Sequence, residues 1–130
     1  MLALPHNARR EASMSDLEPT RHDAHTLQDL APLFRTTPDA PNRALLIGSP
    51  GFKVLHLCLC PGQSMPEHDH IGCYVTIQTL AGTATVVLDG RRVEVPAGSL
   101  LSFDGESRVS PGNAGPDDCA VLITLVDRPA

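Results

Sequence analysis

The feature that most constrains the fold is a change of hydrophobic period at Ala44, after which apolar and polar residues tend to alternate one by one. A period of two is that of a β-strand, whose successive side chains point to opposite faces. Turn residues interrupt this alternation at the regular spacing expected of a sandwich or barrel. The 10 glycines and 12 prolines in 130 residues supply the many turns that short strands require. The sequence therefore predicts an all-β fold.

The alternating segments predict eight strands, which is near the number at which a small barrel can hold one ligand. They cover Ala44–Ile47, Phe52–Cys60, Cys73–Leu80, Thr83–Asp89, Val93–Val95, Leu100–Phe103, Arg108–Ser110 and Cys119–Val126. The link Ala81-Gly82 separates the third strand from the fourth, and its length of two residues predicts that these strands form a hairpin. A second reversal is expected at Gly90-Arg91.

The N-terminal region differs from the rest of the chain. Residues 1–20 are polar and without periodicity, and we expect them to form a disordered tail. Residues 21–130 then form a single domain, because a chain of this length fits one hydrophobic core. Leu27, Leu30 and Phe34 recur at intervals of three and four residues, which predicts a short helical turn that holds the tail against the barrel.

Charge and composition limit the partners of the chain. The net charge is −5 and no basic cluster exceeds a pair, which argues against nucleic acid and anionic membranes, since phosphate groups bind to positive surfaces. No apolar window is long enough to span a bilayer, and the first residues lack the apolar region of a signal peptide. We therefore expect a cytoplasmic protein with four free thiols. Small molecules are the expected partners, and exposed sheet edges predict a homodimer.

The stretch around His68 and His70 is the one place where chemically capable side chains gather at close spacing. Two imidazoles separated by one residue project to the same side of an extended backbone, where both reach toward a single divalent ion. The other histidines are weaker candidates. His22 and His25 have helical spacing but lie near the terminus, and His56 in an apolar strand is more typical of a hydrogen-bonded structural residue.

The spaced glycines, prolines and histidines resemble the pattern of the cupin superfamily: Pro61-Gly62, His68-x-His70, Gly82, Gly90 and Pro96-x-Gly98. The resemblance covers about Lys53 to Val126 and implies a double-sheet jelly roll. In that family one motif supplies two histidines and a glutamate, a second motif supplies a third histidine, and the four side chains bind a divalent metal. Here the resemblance places the two histidines at His68 and His70.

The other two ligands that the resemblance implies are missing. The glutamate position falls on Val75, or on Tyr74 in the nearest alternative register, and the third histidine falls on Val109. Arg108 is adjacent, but a guanidinium repels a cation. Removing even one supporting partner of a ligand costs ~10–100-fold in metal affinity, so losing two ligands costs ~10²–10⁴-fold. We expect at most one weakly held divalent metal, namely zinc, iron, manganese or nickel.

Two function classes remain open, and neither identifies a catalytic residue. The first is a barrel that binds a small polar or anionic ligand, with His68, His70 and Arg108 as its polar anchors. The second is a metal-dependent enzyme of the dioxygenase or isomerase type. In that case Asp69, Glu67 or Cys73 completes the ligand shell of the two histidines. Cys73 shares strand parity with Val75, and with the two histidines it would make a three-ligand set with an open position. We favour the first class slightly.

Overall fold

The computed structural model describes residues 27–129, which form two facing antiparallel β-sheets preceded by one short 3-10 turn, Ala31–Leu33. The strands are β1 (Asn42–Ser49), β2 (Phe52–Leu59), β3 (Cys73–Ala81), β4 (Thr83–Leu88), β5 (Arg91–Pro96), β6 (Leu100–Asp104), β7 (Val109–Gly112) and β8 (Cys119–Asp127). The all-β prediction and the eight predicted strands are confirmed. The predicted disordered tail, His22 and His25 lie outside the described residues.

The larger sheet has the strand order β1-β2-β8-β3-β6, and the smaller sheet has the order β5-β4-β7. Alternate residues of each strand point between the sheets, which is the jelly-roll arrangement that the period of two predicts. The core between the sheets consists of small and branched apolar side chains: Leu57, Leu59, Ile77, Ala84, Val86, Val95, Val109, Cys119 and Val121.

One topological prediction is wrong. β3 and β4 do not form a hairpin, because β3 pairs with β6 and β8 while β4 pairs with β5 and β7. At Gly82 the chain passes from the larger sheet to the smaller one, with a φ of 70°. A Cβ at Gly82 would lie 2.4 Å from the Asp118 carbonyl oxygen, so the crossing requires glycine. The two-residue link predicts a change of chain direction, but it does not determine which strands pair.

The reversal at Gly90 is a true hairpin. Asp89 and Gly90 have φ values of 50° and 78°, and Leu88 pairs with Arg91 across the turn. Positive φ at both central residues is the geometry that matches the twist of the flanking strands. The second predicted reversal is therefore confirmed, with the turn centred on Asp89 and Gly90.

Residues 27–37, which we term the N-terminal strap, cross the outer face of the larger sheet. The ring of Phe34 stacks on His56 with 5.1 Å between the ring centroids. The Cys58 thiol donates to the Leu33 carbonyl at 3.4 Å, and Gln63 Nε2 donates to the Thr37 carbonyl at 2.7 Å. This strap explains why both faces of β2 are apolar in the sequence. The described residues include no helix with the length and hydropathy of a membrane span.

Candidate functional site

The candidate site lies on the loop of residues 60–72, which connects β2 to β3. Backbone hydrogen bonds fasten this loop to β7: His68 N donates to Val109 O at 3.0 Å, and Val109 N donates to His68 O at 2.7 Å. His70 N donates to Gly105 O at 2.8 Å. The loop therefore has a fixed backbone, and the direction of each side chain is set by strand-like pairing.

The structure brings the two predicted imidazoles together. The rings of His68 and His70 meet edge to face, with centroids 4.7 Å apart and an interplanar angle of 89°. His68 Nδ1 lies 2.7 Å from the Pro66 carbonyl oxygen. A carbonyl accepts and does not donate, so Nδ1 carries the proton and the neutral ring keeps its lone pair on Nε2.

Burial sets the charge state of His70. It lowers the pKa of His70 below the ordinary value of 6.5, and the neighbouring His68 lowers it further, while the charge of Asp69 opposes both effects. Two imidazolium groups at this separation would also repel each other. At neutral pH His70 is therefore a neutral imidazole, which offers one hydrogen-bond donor and one acceptor.

Arg108 lies at the rim of the site and is engaged by two carboxylates. Its Nη2 is 3.3 Å from Glu67 Oε1, and its Nη1 is 3.4 Å from Asp69 Oδ2. The Arg108 side chain is 52% exposed, so these ion pairs are screened by water and each contributes ~0–1 kcal/mol. One guanidinium between two carboxylates leaves the rim with an excess of one negative charge.

The structure does not bring Cys73 into a set with the histidines. The Cys73 thiol donates to Asp127 Oδ1 at 3.5 Å, and burial, followed by Asp127, raises the pKa of Cys73. Among residues 27–129, no three His, Cys, Asp or Glu side chains gather in a way that could hold a metal ion. The side chains present therefore do not fit the four-ligand metal site of the resembled family.

The core side chains next to the histidine loop are buried. Val75, Ile77 and Val109 are 1%, 1% and 2% exposed, so they expose almost no surface to a water-sized molecule. Met65 and Phe103 pack against the same core. The core therefore offers almost no open surface at these three positions.

Gly105 positions the site, and the sequence reasoning missed it. A Cβ at Gly105 would lie 2.0 Å from the His70 carbonyl oxygen and 2.7 Å from the Cys73 carbonyl oxygen. Gly105 N donates to Cys73 O at 2.8 Å. The Asp-Gly-Glu sequence at positions 104–106 signals a turn, but nothing local shows that the histidine loop packs against it.

Residues 55–125 match the family model of the cupin domain, which is more than half of the chain. The chain belongs to the cupin family. The fold is similar to that of a Thermus thermophilus protein, with a TM-score of 0.72, 20% identity, and coverage of 79% of this chain and 98% of that one. It is also similar to an uncharacterised Klebsiella pneumoniae protein with a double-stranded β-helix domain, with a TM-score of 0.71, 18% identity, and coverage of 78% and 89%.

A third solved structure extends the likeness to a protein with a suggested activity. It is a Thermotoga maritima protein named as a predicted oxalate decarboxylase, with a TM-score of 0.63, 20% identity, and coverage of 73% of this cupin and 98% of that chain. These identities support a shared fold and carry no activity across. No functionally curated protein is a significant match to this chain.

Proposed function

We propose that this cupin binds a small polar molecule at the end of its barrel through the imidazoles of His68 and His70. The observation that carries the proposal is the edge-to-face pair of rings, with His68 held in one tautomer by the Pro66 carbonyl. A fixed tautomer presents a defined hydrogen-bond acceptor at Nε2. Because this acceptor is already oriented, a ligand binds to it without the entropy cost of ordering the ring.

The charges at the rim favour a neutral polar ligand over an anionic one. Arg108, the anchor expected for a carboxylate, is held by Glu67 and Asp69. An anionic ligand would have to displace both carboxylates from Arg108, and their negative charge would repel it. A neutral hydroxyl or amide group does not meet this repulsion. We therefore narrow the expected polar or anionic ligand to a small molecule with hydroxyl or amide groups.

A weak divalent metal site is a second candidate, and one observation favours it. Histidines that bind metals generally donate their other ring N–H to a carbonyl or carboxylate, and His68 has this arrangement with Pro66. A tightly held metal, as the alternative of a dioxygenase or isomerase requires, would need a third ligand in addition to the two imidazoles. We propose that any metal is lost on dialysis.

Untagged protein, dialysed against a chelator, tests both candidates through its melting temperature. The panel contains small polyols, amides, carboxylates and divalent cations, and it is applied to wild type, to His68→Ala and to a His22→Ala/His25→Ala double variant. The double variant controls for metal bound by the other pair of histidines. A ligand present at about 100 times its Kd stabilises a protein by about 2.7 kcal/mol.

We expect at least one neutral polar compound to raise the melting temperature of wild type and of the control, and to have no effect on His68→Ala. If no compound stabilises the wild type and His68→Ala is merely less stable, His68 is structural and the proposal fails. One equivalent of metal surviving dialysis, measured by elemental analysis, would instead support the metal-dependent enzyme.

A further inference from the structure

We propose that a second copy of this chain docks on the edge of β6, so that the two larger sheets join into one continuous sheet across a two-fold axis. β6 is an outermost strand of the larger sheet, and over residues 27–129 it pairs with β3 alone. On the side of an edge strand that faces away from its neighbour, alternate backbone N–H and C=O groups remain available to another strand.

The other three edge strands, β1, β5 and β7, are each protected. β1 has a bulge near its middle, and Gln28 Nε2 of the strap donates to the Leu46 carbonyl at 2.9 Å. β7 is covered by the histidine loop, where Met65 N donates to Pro111 O at 2.8 Å. β5 carries exposed charges and ends in a proline. Bulges, covering segments, charges and prolines all prevent the addition of a further strand.

β6 lacks each of these protecting features. Its register with β3 runs without a bulge from the pair of Tyr74 and Asp104 to the pair of Gln78 and Leu100. Its five residues, Leu-Leu-Ser-Phe-Asp, include no proline and a single charge, which lies at the last position. Leu100, at the other end, is 62% exposed. A regular apolar edge of this kind is normally paired with another strand or covered.

The sequence of β6 is complementary to itself. When two identical strands pair antiparallel about a two-fold axis, residues equally far from the axis on either side face each other. With the axis at Ser102, Leu101 lies opposite Phe103 of the second copy on the inner face, and this contact occurs twice. Both side chains already pack against the core, and aliphatic–aromatic pairs between strands stabilise a sheet. An axis at another residue would leave part of β6 unpaired.

The charges on β6 permit this pairing. Asp104 is its one charged residue, and Arg128 Nη1 lies 2.7 Å from Asp104 Oδ2. In the proposed register Asp104 lies opposite Leu100 of the second copy. The two Asp104 residues are then four positions apart along the ladder, or about 14 Å, which exceeds the screening length of about 8 Å at physiological ionic strength. The homodimer expected from the sequence thereby acquires a specific interface.

Sedimentation velocity of the full chain over a series of concentrations tests the proposal. The fraction of dimer should rise with concentration in the wild type. Ser102 is exposed, so Ser102→Lys and Ser102→Glu should fold, which thermal unfolding checks. Each variant places two like charges opposite one another at the axis and should weaken the dimer about fivefold. An equal mixture of the two variants pairs lysine with glutamate and should restore dimer to about the wild-type level.

Two controls locate the interface. Gln78→Lys adds the same charge to the outer face of β3, one strand away from the edge, and should dimerise as the wild type does. His68→Ala should also dimerise normally, so this proposal and the ligand site fail separately. A wild type that stays monomeric up to about 1 mM, where even weak complexes form, would overturn the proposal. So would a mixture as weak as its components, or a dimer weakened by Gln78→Lys and not by Ser102→Lys.

Discussion

His56 and the His68–His70 pair are the same residue type in two different settings. His56 lies within a strand, where backbone pairing with Ala44 on one side and Leu122 on the other fixes its position. His68 and His70 lie on a loop that a few backbone hydrogen bonds fasten to β7 and to Gly105. Burial lowers the pKa of both His56 and His70. A continuous sheet and a few local contacts therefore change the pKa of a histidine in the same direction.

This difference determines how sensitive the position of each histidine is to substitutions nearby. A strand histidine keeps its place when one neighbour changes, because the ladder on both sides is long. The loop histidines depend on individual contacts, and a single added methyl group at Gly105 would disturb them. The following experiments test this contrast, beginning with the largest expected effect.

Gly105→Ala should lower the free energy of unfolding by about 2–4 kcal/mol, which combines the usual cost of overpacking with the loss of a backbone hydrogen bond. The added Cβ meets backbone atoms of the His70 loop, which have no flexible end to move aside. Urea unfolding measures the change. The matched control is Gly115→Ala, whose nearest contact is an ordinary 3.5 Å, and it should change stability by less than about 0.5 kcal/mol. Equal stabilities of the two variants would contradict the assigned role of Gly105.

Asn113→Ala should cost about 1–3 kcal/mol, because it leaves buried carbonyls without a donor. Asn113 is 2% exposed, and its Nδ2 donates to Leu59 O at 3.0 Å and to Asp117 O at 2.7 Å. It thereby fixes the end of the strand that carries His56. The control is Asn42→Ala, whose bond to the Arg35 carbonyl is exposed and should cost less than about 1 kcal/mol. If both variants lower the free energy of unfolding equally, the burial of Asn113 contributes nothing to stability.

His56→Phe should change stability at neutral pH by about 1 kcal/mol or less, since the substituted ring keeps the volume and the stacking on Phe34. Its larger effect is on pH dependence. The folded pKa of His56 lies below 6.5, so on acidification the unfolded chain takes up a proton first and stability falls from about pH 6.5 down to the folded pKa.

The variant removes this loss, so its stability should change less than that of wild type between pH 7 and pH 5, as thermal unfolding at each pH would measure. Phe34→Leu keeps the imidazole and serves as the control, because it should retain the pH dependence. An unchanged pH profile in His56→Phe would show that His56 does not titrate differently in the folded and unfolded states.

Arg108→Gln should have the smallest effect on stability, about 0–1 kcal/mol, because both ion pairs of Arg108 are half-exposed. It should nevertheless raise the pKa of His70, since Asp69 loses its partner and its charge then acts on His70 more strongly. An NMR titration measures this shift, with Arg92→Gln, which disrupts the exposed pair with Glu94, as the control. A stability loss above about 2 kcal/mol would mean that Arg108 holds the loop in place.

The sequence by itself determined the period of two, the eight strands and the turn at Gly90, because each of these depends on residues that are neighbours in the chain. It also determined that His68 and His70 point the same way, since residues two apart on an extended backbone share a face. The resemblance of its spaced glycines, prolines and histidines to the cupin pattern implied the jelly roll. For each of these features, a few consecutive residues contain all of the information that is needed to predict it.

The tertiary structure decided which elements and side chains meet. It separated β3 from β4, placed Cys73 against Asp127 and gave Arg108 two carboxylate partners, while Gly105 came to lie against the histidine loop. It also closed the strap over His56 and left Nε2 of that ring buried. Each of these contacts joins residues far apart in the chain, and such pairings depend on the packing of both sheets together, which no local pattern of polarity specifies.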